Sequence, residues 1–471
     1  MIVLQAGMKA VVVGLGKSGL AAVRYLHQQK LRVAVSEHRQ QITAAEQTVL
    51  DQCGVVLETG GHTEAFFAAA DLVVVSPGVP MDLPVLTAAR SHGVPVLGEL
   101  ALAAGRIPVP VIAVTGSNGK TTVTSLIGQL LRSSGKKVFV GGNIGTPVLD
   151  FLVEPGMAEA AVLELSSFQL DAAGSFRPEI GLLLNLSPDH IDRHGSFANY
   201  AAAKLKLFAW QEPGDMAIIG MDDSQIAART VPGAGHVLGF GMQPGSRAKI
   251  DGQQVRLEPG FAPDGAAEIY ELAGTRLSSL VNVYNAAAAV LAARAFGCSI
   301  EGIQAGLAEY QPPLHRMTPA GEINEVHFIN DSKATNIGAV QAALAGFKKD
   351  VILIAGGRNK GGDFTELVPS LQKHVRQAVL IGEAGSELAV AAQAAGIKHQ
   401  FAESMDEAVL ISFAAAQPGD TVLLAPACAS FDMFDNYEHR GREFMHCVRG
   451  LSCSNQNNTI GYLAKPKEVT L

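Results

Sequence analysis

The sequence predicts an α/β protein of three domains, and three observations carry that prediction. Short runs of branched apolar residues, fit for buried parallel strands, alternate with segments whose apolar residues recur at helical spacing. Two of those runs end in glycine-bearing turns that open a helix, one at Gly14–Gly19 and one at Gly116–Thr122. The chain of 471 residues is too long for a single hydrophobic core, and length alone suggests about three.

The first domain, residues 1–98, reads as Rossmann-like. Lys9–Val13 is a short buried strand, and Gly14-Leu15-Gly16-Lys17-Ser18-Gly19 opens a helix through Ala21, Val23 and Leu26. A second strand, Leu31–Val35, ends at Ser36-Glu37. The glycines permit a tight turn and close approach of backbone to a diphosphate, and Glu37 stands where an acid takes a ribose hydroxyl. Leu72–Val75 delivers a further turn to the same rim, which makes Gly78 a wall of the pocket. Taken alone, this domain suggests an NAD-dependent dehydrogenase, another nucleotide-binding protein, or a turn packed tightly for its own sake.

The central domain, residues 99–312, reads as P-loop ATPase-like. The strand Val109–Val114 leads into Thr115-Gly116-Ser117-Asn118-Gly119-Lys120-Thr121-Thr122 and an amphipathic helix from Val123 to Leu131. Loop N–H groups and the helix N-terminus point at a phosphate, Lys120 adds charge, and the Thr121 hydroxyl can hold Mg²⁺. A strict Walker pattern has glycine where Val114 stands, so an ordinary strand–turn–helix junction is the alternative. A dehydrogenase has no use for this second phosphate turn, which decides against that reading. Gly141-Gly142-Asn143-Ile144-Gly145 is another glycine loop, in which Asn143 offers both donor and acceptor.

Ala160–Glu164 is a strand ending in an acid, followed by Leu165-Ser166-Ser167-Phe168-Gln169. Beside a phosphate loop such a carboxylate holds Mg²⁺; elsewhere it is a solvated strand end. Ile180–Leu186 ends at Ser187-Pro188-Asp189-His190-Ile191-Asp192, which puts His190 at a comparable strand end as a metal or substrate group or as polar surface. Tyr200–Phe208 reads as an amphipathic helix on which Lys204, by spacing alone, is an ordinary face lysine. Asn282 and Asn285 flank the start of the helix Ala286–Ala295, either as caps or as adenine contacts.

The third domain, residues 313–471, follows a hinge at Pro312-Pro313-Leu314-His315-Arg316 and reads as a second Rossmann-like α/β domain with a polar tail at Ser452–Thr459. Strands Val326–Ile329, Val351–Ala355 and Thr421–Leu424 each deliver a polar loop to one rim. Lys333 and Lys360 stand in two of those loops, where either lysine taken alone reads as solvated surface.

Composition narrows the partners. The net charge of −8 argues against non-specific nucleic-acid binding. Five cysteines without a CxxC pair fit a reducing compartment. No apolar run reaches membrane-spanning length, and Met1–Met8 lacks the basic start of a signal peptide. A cytoplasmic monomer acting on small molecules, with no nucleic acid and no membrane, is expected.

The loops Thr115–Thr122, Gly141–Gly145, Glu164–Gln169 and Asp189–Asp192 together resemble the Mur ligases. These are ATP-dependent amide-bond ligases of peptidoglycan precursor synthesis, with relatives among the folylpolyglutamate synthases. Their phosphate loop, TGxNGKT, accounts for Val114. The resemblance implies ATP on Gly116, Ser117, Asn118, Gly119, Lys120, Thr121 and Thr122, with Asn282 and Arg316 also in contact and Asp331 on the ribose. It implies two Mg²⁺ ions, one held by Thr121 and Glu164 and a second by His190, and a carbamylated Lys204. A carbamate is an anionic oxygen ligand where a bare ammonium would be repelled. The implied catalytic set is Lys120, Glu164, His190 and Lys204.

Within that family, Asn330–Asn336 together with Pro426–Asp432 resembles the members that add D-glutamate to UDP-N-acetylmuramoyl-L-alanine. This implies the UDP-sugar on Gly14, Leu15, Gly16, Lys17, Ser18, Glu37, Arg39, Gly78, Asn143, Ser166 and Gln169. It implies D-glutamate among Lys333, Thr335, Lys360, Ser430, Phe431 and Tyr437. Tyr437 stands where the family often has phenylalanine. Glu37-His38-Arg39 replaces the usual Asp-Ser/Thr-Arg, which leaves open which of the three touches the uridine. A folylpolyglutamate-type ligase, the alternative, gives no reason for the Gly14–Gly19 domain. The implied chemistry is an acyl phosphate attacked by an amine, with His190 the candidate base.

Overall fold

The computed structural model describes residues 2–260 and 265–457, with residues 452–457 as backbone only. Three sheets organise the chain. The first is built from β1 (Lys9–Val13), β2 (Arg32–Glu37), β3 (Val56–Thr59), β4 (Leu72–Val75) and β5 (Val96–Gly98), in the order β3-β2-β1-β4-β5. All its pairings are parallel. Ala10–Val13 are fully buried in its central strand, which is why that run is apolar on both faces rather than alternating.

The second sheet contains β6 (Val111–Thr115), β7 (Val138–Gly142), β8 (Ala160–Glu164), β9 (Ile180–Leu183), β10 (Met216–Gly220), β11 (His236–Gly241), β12 (Ala248–Asp251), β13 (Gln254–Leu257) and β14 (Glu268–Glu271). Its order is β14-β13-β12-β11-β10-β9-β6-β8-β7. It is parallel from β7 to β12 and closes with an antiparallel meander, β12-β13-β14. The third sheet has β15 (Thr318–Ile323), β16 (Val326–Asn330), β17 (Val351–Gly356), β18 (Val375–Ile381), β19 (Lys398–Phe401) and β20 (Thr421–Leu424), in the order β15-β16-β20-β17-β18-β19. Only its edge strand β15 runs antiparallel.

Two compact units result. Met1–Leu186 with Phe197–Gln311 holds the first two sheets; Ser187–Ser196 with Pro312–Leu471 holds the third. Inside the first unit one apolar cluster runs across both sheets, taking in Leu26, Val148, Leu149, Phe151 and Leu207. Each such side chain contributes roughly 1.5–3 kcal/mol on burial. Polar contacts reinforce that seam. Arg24 donates to both carboxylate oxygens of Asp150 at 2.8 and 2.7 Å. Glu99 accepts from the Val148 and Leu149 N–H groups at 2.9 and 3.4 Å, capping the helix Val148–Val153.

Three local expectations are corrected. The alanine-rich helix spans Leu280–Ala295 with Ser279 at its N-cap, so Asn282 and Asn285 lie inside the helix and neither caps it. Lys204 is no face lysine: the helix Phe197–Leu205 leaves it 1% exposed. The last helix, Tyr437–Asn457, enters the stretch read as a tail, whose remaining residues lie outside the described ones. Residues 209–279, which the sequence reading leaves unassigned, supply the strands β10 to β14. Among the described residues no helix is long and apolar enough to cross a membrane.

Candidate active site

A cavity of about 560 Å³ opens where β1, β2 and β4 end, and the glycine turn after β7 forms its opposite wall. Gly14, Leu15, Gly16, Lys17, Ser18, Glu37, Arg39, Gly78, Asn143 and Gln169 all line it. Of the residues expected to hold a UDP-sugar only Ser166 does not, and its hydroxyl is used locally. It accepts from the Gln169 N–H at 3.2 Å, while Gln169 Oε1 accepts from the Ser166 N–H at 3.0 Å, a reciprocal cap.

Two glycines of the turn are demanded by packing. Gly14 has φ +85°, and a Cβ on Gly19 would fall 2.0 Å from the Gly14 carbonyl oxygen. Glu37 receives the Leu15 N–H at 2.7 Å and the Arg39 N–H at 2.9 Å. Burial works to raise its carboxyl, but hydrogen bonds from Arg39 and Leu15 outweigh that and hold it below the usual range. Arg39 bridges onward to Glu46 at 2.9 Å. Glu37 and Arg39 face the cavity, whereas His38 is exposed and does not line it.

The phosphate loop follows β6. Gly119 precedes the helix Lys120–Ser133 with φ +82°, and a Cβ there would lie 2.5 Å from Asn285 Oδ1. Asn285, which thus stands against the loop, donates to Asn282 Oδ1 at 3.2 Å. Asn185, which sequence reasoning missed, clamps the loop from the end of β9: it accepts from the Asn118 N–H at 2.8 Å and donates to the Asn118 carbonyl at 3.1 Å. The Lys120 ammonium folds over the loop, donating to Gly116 and Ser117 carbonyls at 2.8 Å each.

Glu164 stands opposite Val114 in the β6–β8 register, so its side chain emerges beside the loop. It is 2% exposed. Its Oε1 accepts from Asn143 Nδ2 at 2.8 Å, and its Oε2 is buried without a hydrogen-bond partner among the described residues. A buried carboxylate oxygen lacking a donor suits a cation, and Thr121 sits in the first turn of the adjacent helix. Among the described residues no cluster of three or more His, Cys, Asp or Glu could hold a metal. The orphan carboxylate oxygen and the nearby hydroxyl are hard oxygen donors of the kind Mg²⁺ takes together with ligand phosphates. Lys204 Nζ donates to the Gly116 carbonyl at 2.8 Å and to Thr115 Oγ1 at 3.4 Å, 4.7 Å from the Tyr200 ring centroid. Asn143 lines the cavity and also holds Glu164, whose strand pairs with the one that leads into the phosphate loop.

In the second unit, Asp189 Oδ1 accepts from Lys360 Nζ at 2.7 Å and from the His190 N–H at 3.0 Å. Its Oδ2 accepts from Asn336 Nδ2 at 3.1 Å. His190 itself holds φ +53°, a left-handed conformation uncommon outside glycine. Asp189, Thr335, Asn336, Asn359 and Lys360 line a crevice of only about 20 Å³. The other residues expected around an amino acid are not in that lining. The Lys333 ammonium lies 3.8 Å from the Tyr437 ring centroid, Ser430 is buried, and Phe431 is 66% exposed.

Asp331 accepts from the Met317 N–H at 3.2 Å. Burial raises its carboxyl to about 6 against the opposing pull of that bond and of the nearby Arg316 charge. Arg440, another residue the sequence reading passed over, is fully buried and donates to Ser332 Oγ at 3.0 Å and to the Cys428 carbonyl at 3.1 Å, tying two loops of the rim. Cys53, Cys298, Cys428 and Cys447 are free, and burial pushes the Cys428 thiol up to about 12; the Cys453 side chain lies outside the described residues.

Three family models match the chain: the Mur ligase MurD-like N-terminal domain over residues 8–98, the Mur ligase middle domain over 114–293 and the Mur ligase glutamate ligase domain over 315–428. The UDP-N-acetylmuramoylalanine–D-glutamate ligase of Desulfotalea psychrophila is 46% identical, covering 93% of this chain and 95% of that protein. The protein of the same name from Koribacter versatilis is 42% identical over 95% of this chain and 98% of its own. A pseudomurein peptide ligase type C from Methanothermus fervidus has the same fold, with a TM-score of 0.59 at 18% identity over 94% of this chain and all of that one.

Proposed function

The chain belongs to the Mur ligase family, and we propose that it joins the amine of D-glutamate to the L-alanyl carboxylate of UDP-N-acetylmuramoyl-L-alanine through an acyl phosphate. It is an ATP-dependent ligase that adds D-glutamate in peptidoglycan synthesis, and its substrates are small molecules. The folylpolyglutamate and dehydrogenase readings are not favoured. The observation that best supports the residue roles is the 2.8 Å hydrogen bond from Asn143 to Glu164, which joins the cavity wall to the carboxylate on the strand paired with β6, the strand leading into the phosphate loop.

A carboxylate resists attack because charge and resonance both oppose it. Transfer of the ATP γ-phosphoryl group to its oxygen forms the C–O–P bond of an acyl phosphate and releases ADP. Lys120 and the loop N–H groups stabilise the charge on the transferring oxygens, an electrostatic role. Glu164 and Thr121 would hold one Mg²⁺ and His190 a second, with Lys204 as a carbamate supplying an anionic oxygen; bound, the metal adds positive charge where the phosphoryl oxygens need it. The amine of D-glutamate then attacks the acyl carbon, phosphate leaves, and the ammonium proton passes to a base. Gly14–Ser18, Glu37, Arg39 and Gly78 orient the UDP-sugar. Lys333, Thr335, Lys360, Ser430, Phe431 and Tyr437 surround D-glutamate, and Asn282, Arg316 and Asp331 the adenosine. We infer that the enzyme works as a monomer in the cytoplasm, in keeping with its net charge of −8. Coupled ADP release tests the whole reading: it should require UDP-N-acetylmuramoyl-L-alanine and D-glutamate together. Release that ignores either one would sink it.

A further inference from the structure

We propose that Asp189 anchors the ammonium group of the incoming amino acid, and that the Lys360–Asp189 ion pair is the resting form of a zwitterion site. The inference rests on the ligase reading and extends it to a residue that the site set above omits.

Size comes first. The crevice that Asp189, Thr335, Asn336 and Lys360 line measures about 20 Å³, room for little more than one water. An amino acid enters only if the pair across it parts. Charge then says what can part it. The two side chains are 9% and 22% exposed, so either ion left alone there would be poorly solvated. A molecule carrying only carboxylates would satisfy Lys360 and repel Asp189. An α-amino acid carries a carboxylate and an ammonium on the same carbon, so it can satisfy both ions at once and leave neither unpaired.

The two partners are held differently. Asp189 is fixed by the His190 N–H at 3.0 Å and by Asn336 Nδ2 at 3.1 Å, so its carboxylate stays in place when Lys360 moves. Lys360 sits on a flexible four-carbon stem and is the partner that swings. In the bound form Lys360 takes the α-carboxylate and Asp189 the α-ammonium. The nucleophilic nitrogen is thereby set at the Asp189 carboxylate, which the His190 N–H also holds, with no covalent step assigned to Asp189.

Glutarate separates the two halves of the site, since it is a dicarboxylate of the same length without the amine. The parent enzyme is assayed first by ADP release, with the Michaelis constant for D-glutamate and the inhibition constant for glutarate measured together. In Asp189→Asn the Michaelis constant for D-glutamate should rise at least tenfold while glutarate binds as before or more tightly. The constants for ATP and the UDP-sugar should stay within twofold. Lys360→Met should weaken both dicarboxylates alike, and Asp189→Glu, which keeps the charge should D189N fail to fold, should recover part of the preference for D-glutamate over glutarate. If D-glutamate and glutarate weaken in parallel in D189N, the residue is structural and the proposal falls, as it does if D-glutamate is unaffected. A parent without D-glutamate-dependent ADP release defeats the ligase reading itself, a different result from an active parent with the wrong variant pattern.

Discussion

Lys120 and Lys204 bring two ammonium groups to the same acceptor, the Gly116 carbonyl, each at 2.8 Å. Like charges this close are stabilised by an anion between them, and a bound phosphate is one such anion. Conversion of Lys204 to a carbamate goes further, exchanging repulsion for attraction and adding an oxygen ligand for a cation. Lys204→Ala should therefore be inactive in ADP release yet partly restored by small carboxylates, and parent-like activity without them would exclude the carbamate. Lys120→Ala removes a donor needed only while charge develops on the phosphoryl oxygens. A loss of about a hundredfold or more in turnover, with an unchanged thermal midpoint, is the expected pattern.

Glu99 carries the pH dependence at this scale. Burial raises its carboxyl above the glutamate range, and hydrogen bonds from Ser18, Leu149, Gln169 and Val148 oppose that without cancelling it. A carboxyl raised in the folded state holds its proton more tightly there than in the unfolded chain. Its stabilisation is complete below the ordinary glutamate value and is lost as pH climbs through the raised one. Thermal midpoints taken from about pH 5 to about pH 8 should fall less steeply in Glu99→Gln than in the parent.

The elements show which glycines the fold needs and which the ligand needs. A Cβ on Gly19 would stand 2.0 Å from the Gly14 carbonyl, so Gly19→Ala pushes the helix Lys17–Gln28 off its strand. That should cost about 1–3 kcal/mol, as overpacking does. A Cβ on Gly16 would meet nothing within 4 Å, and Gly16 is not in the left-handed region. Gly16→Ala should keep stability within about 1 kcal/mol, a weaker cap at most, while its methyl group blocks the backbone's approach to a diphosphate. Chemical denaturation together with titration of the UDP-sugar separates the two effects.

Such turns are legible in sequence because every residue that makes them lies within one strand, one loop and one helix start. The first domain's side of the cavity, from the Gly14 turn to Gly78, was legible in the same way, whereas Asn143 belongs to the second sheet and enters only through the family resemblance. The Asp189–Lys360 pair was not legible, because its partners are 171 residues apart, one in the segment after β9 and the other in the loop after β17. Burial of Lys204 is likewise a tertiary fact: spacing alone puts it on a helix face. The helix Leu280–Ala295 starts earlier than its sequence predicts: Val281, Val283 and the two asparagines are poor helix formers, and packing of Val283 and Ala286 against the second sheet overrides them.

At the scale of the molecule, the first two sheets behave as one body. They share an apolar cluster, the Arg24–Asp150 pair, the Glu99 cap and a cavity whose walls come from both. The second unit has apolar clusters of its own, around Leu353 and Leu380 on one side of its sheet and Phe328 and Phe444 on the other. Separate cores predict separate cooperative transitions in calorimetry. A ligand stabilises the body that binds it, by about 2.7 kcal/mol at a hundredfold excess over its dissociation constant. The UDP-sugar substrate should then raise one transition and D-glutamate the other. Removing the Arg24–Asp150 pair with Arg24→Ala should lower the midpoint of the first transition without dividing it, since the apolar cluster still spans both sheets. A third transition in that variant would mean that the seam depends on its charges rather than on its apolar contacts.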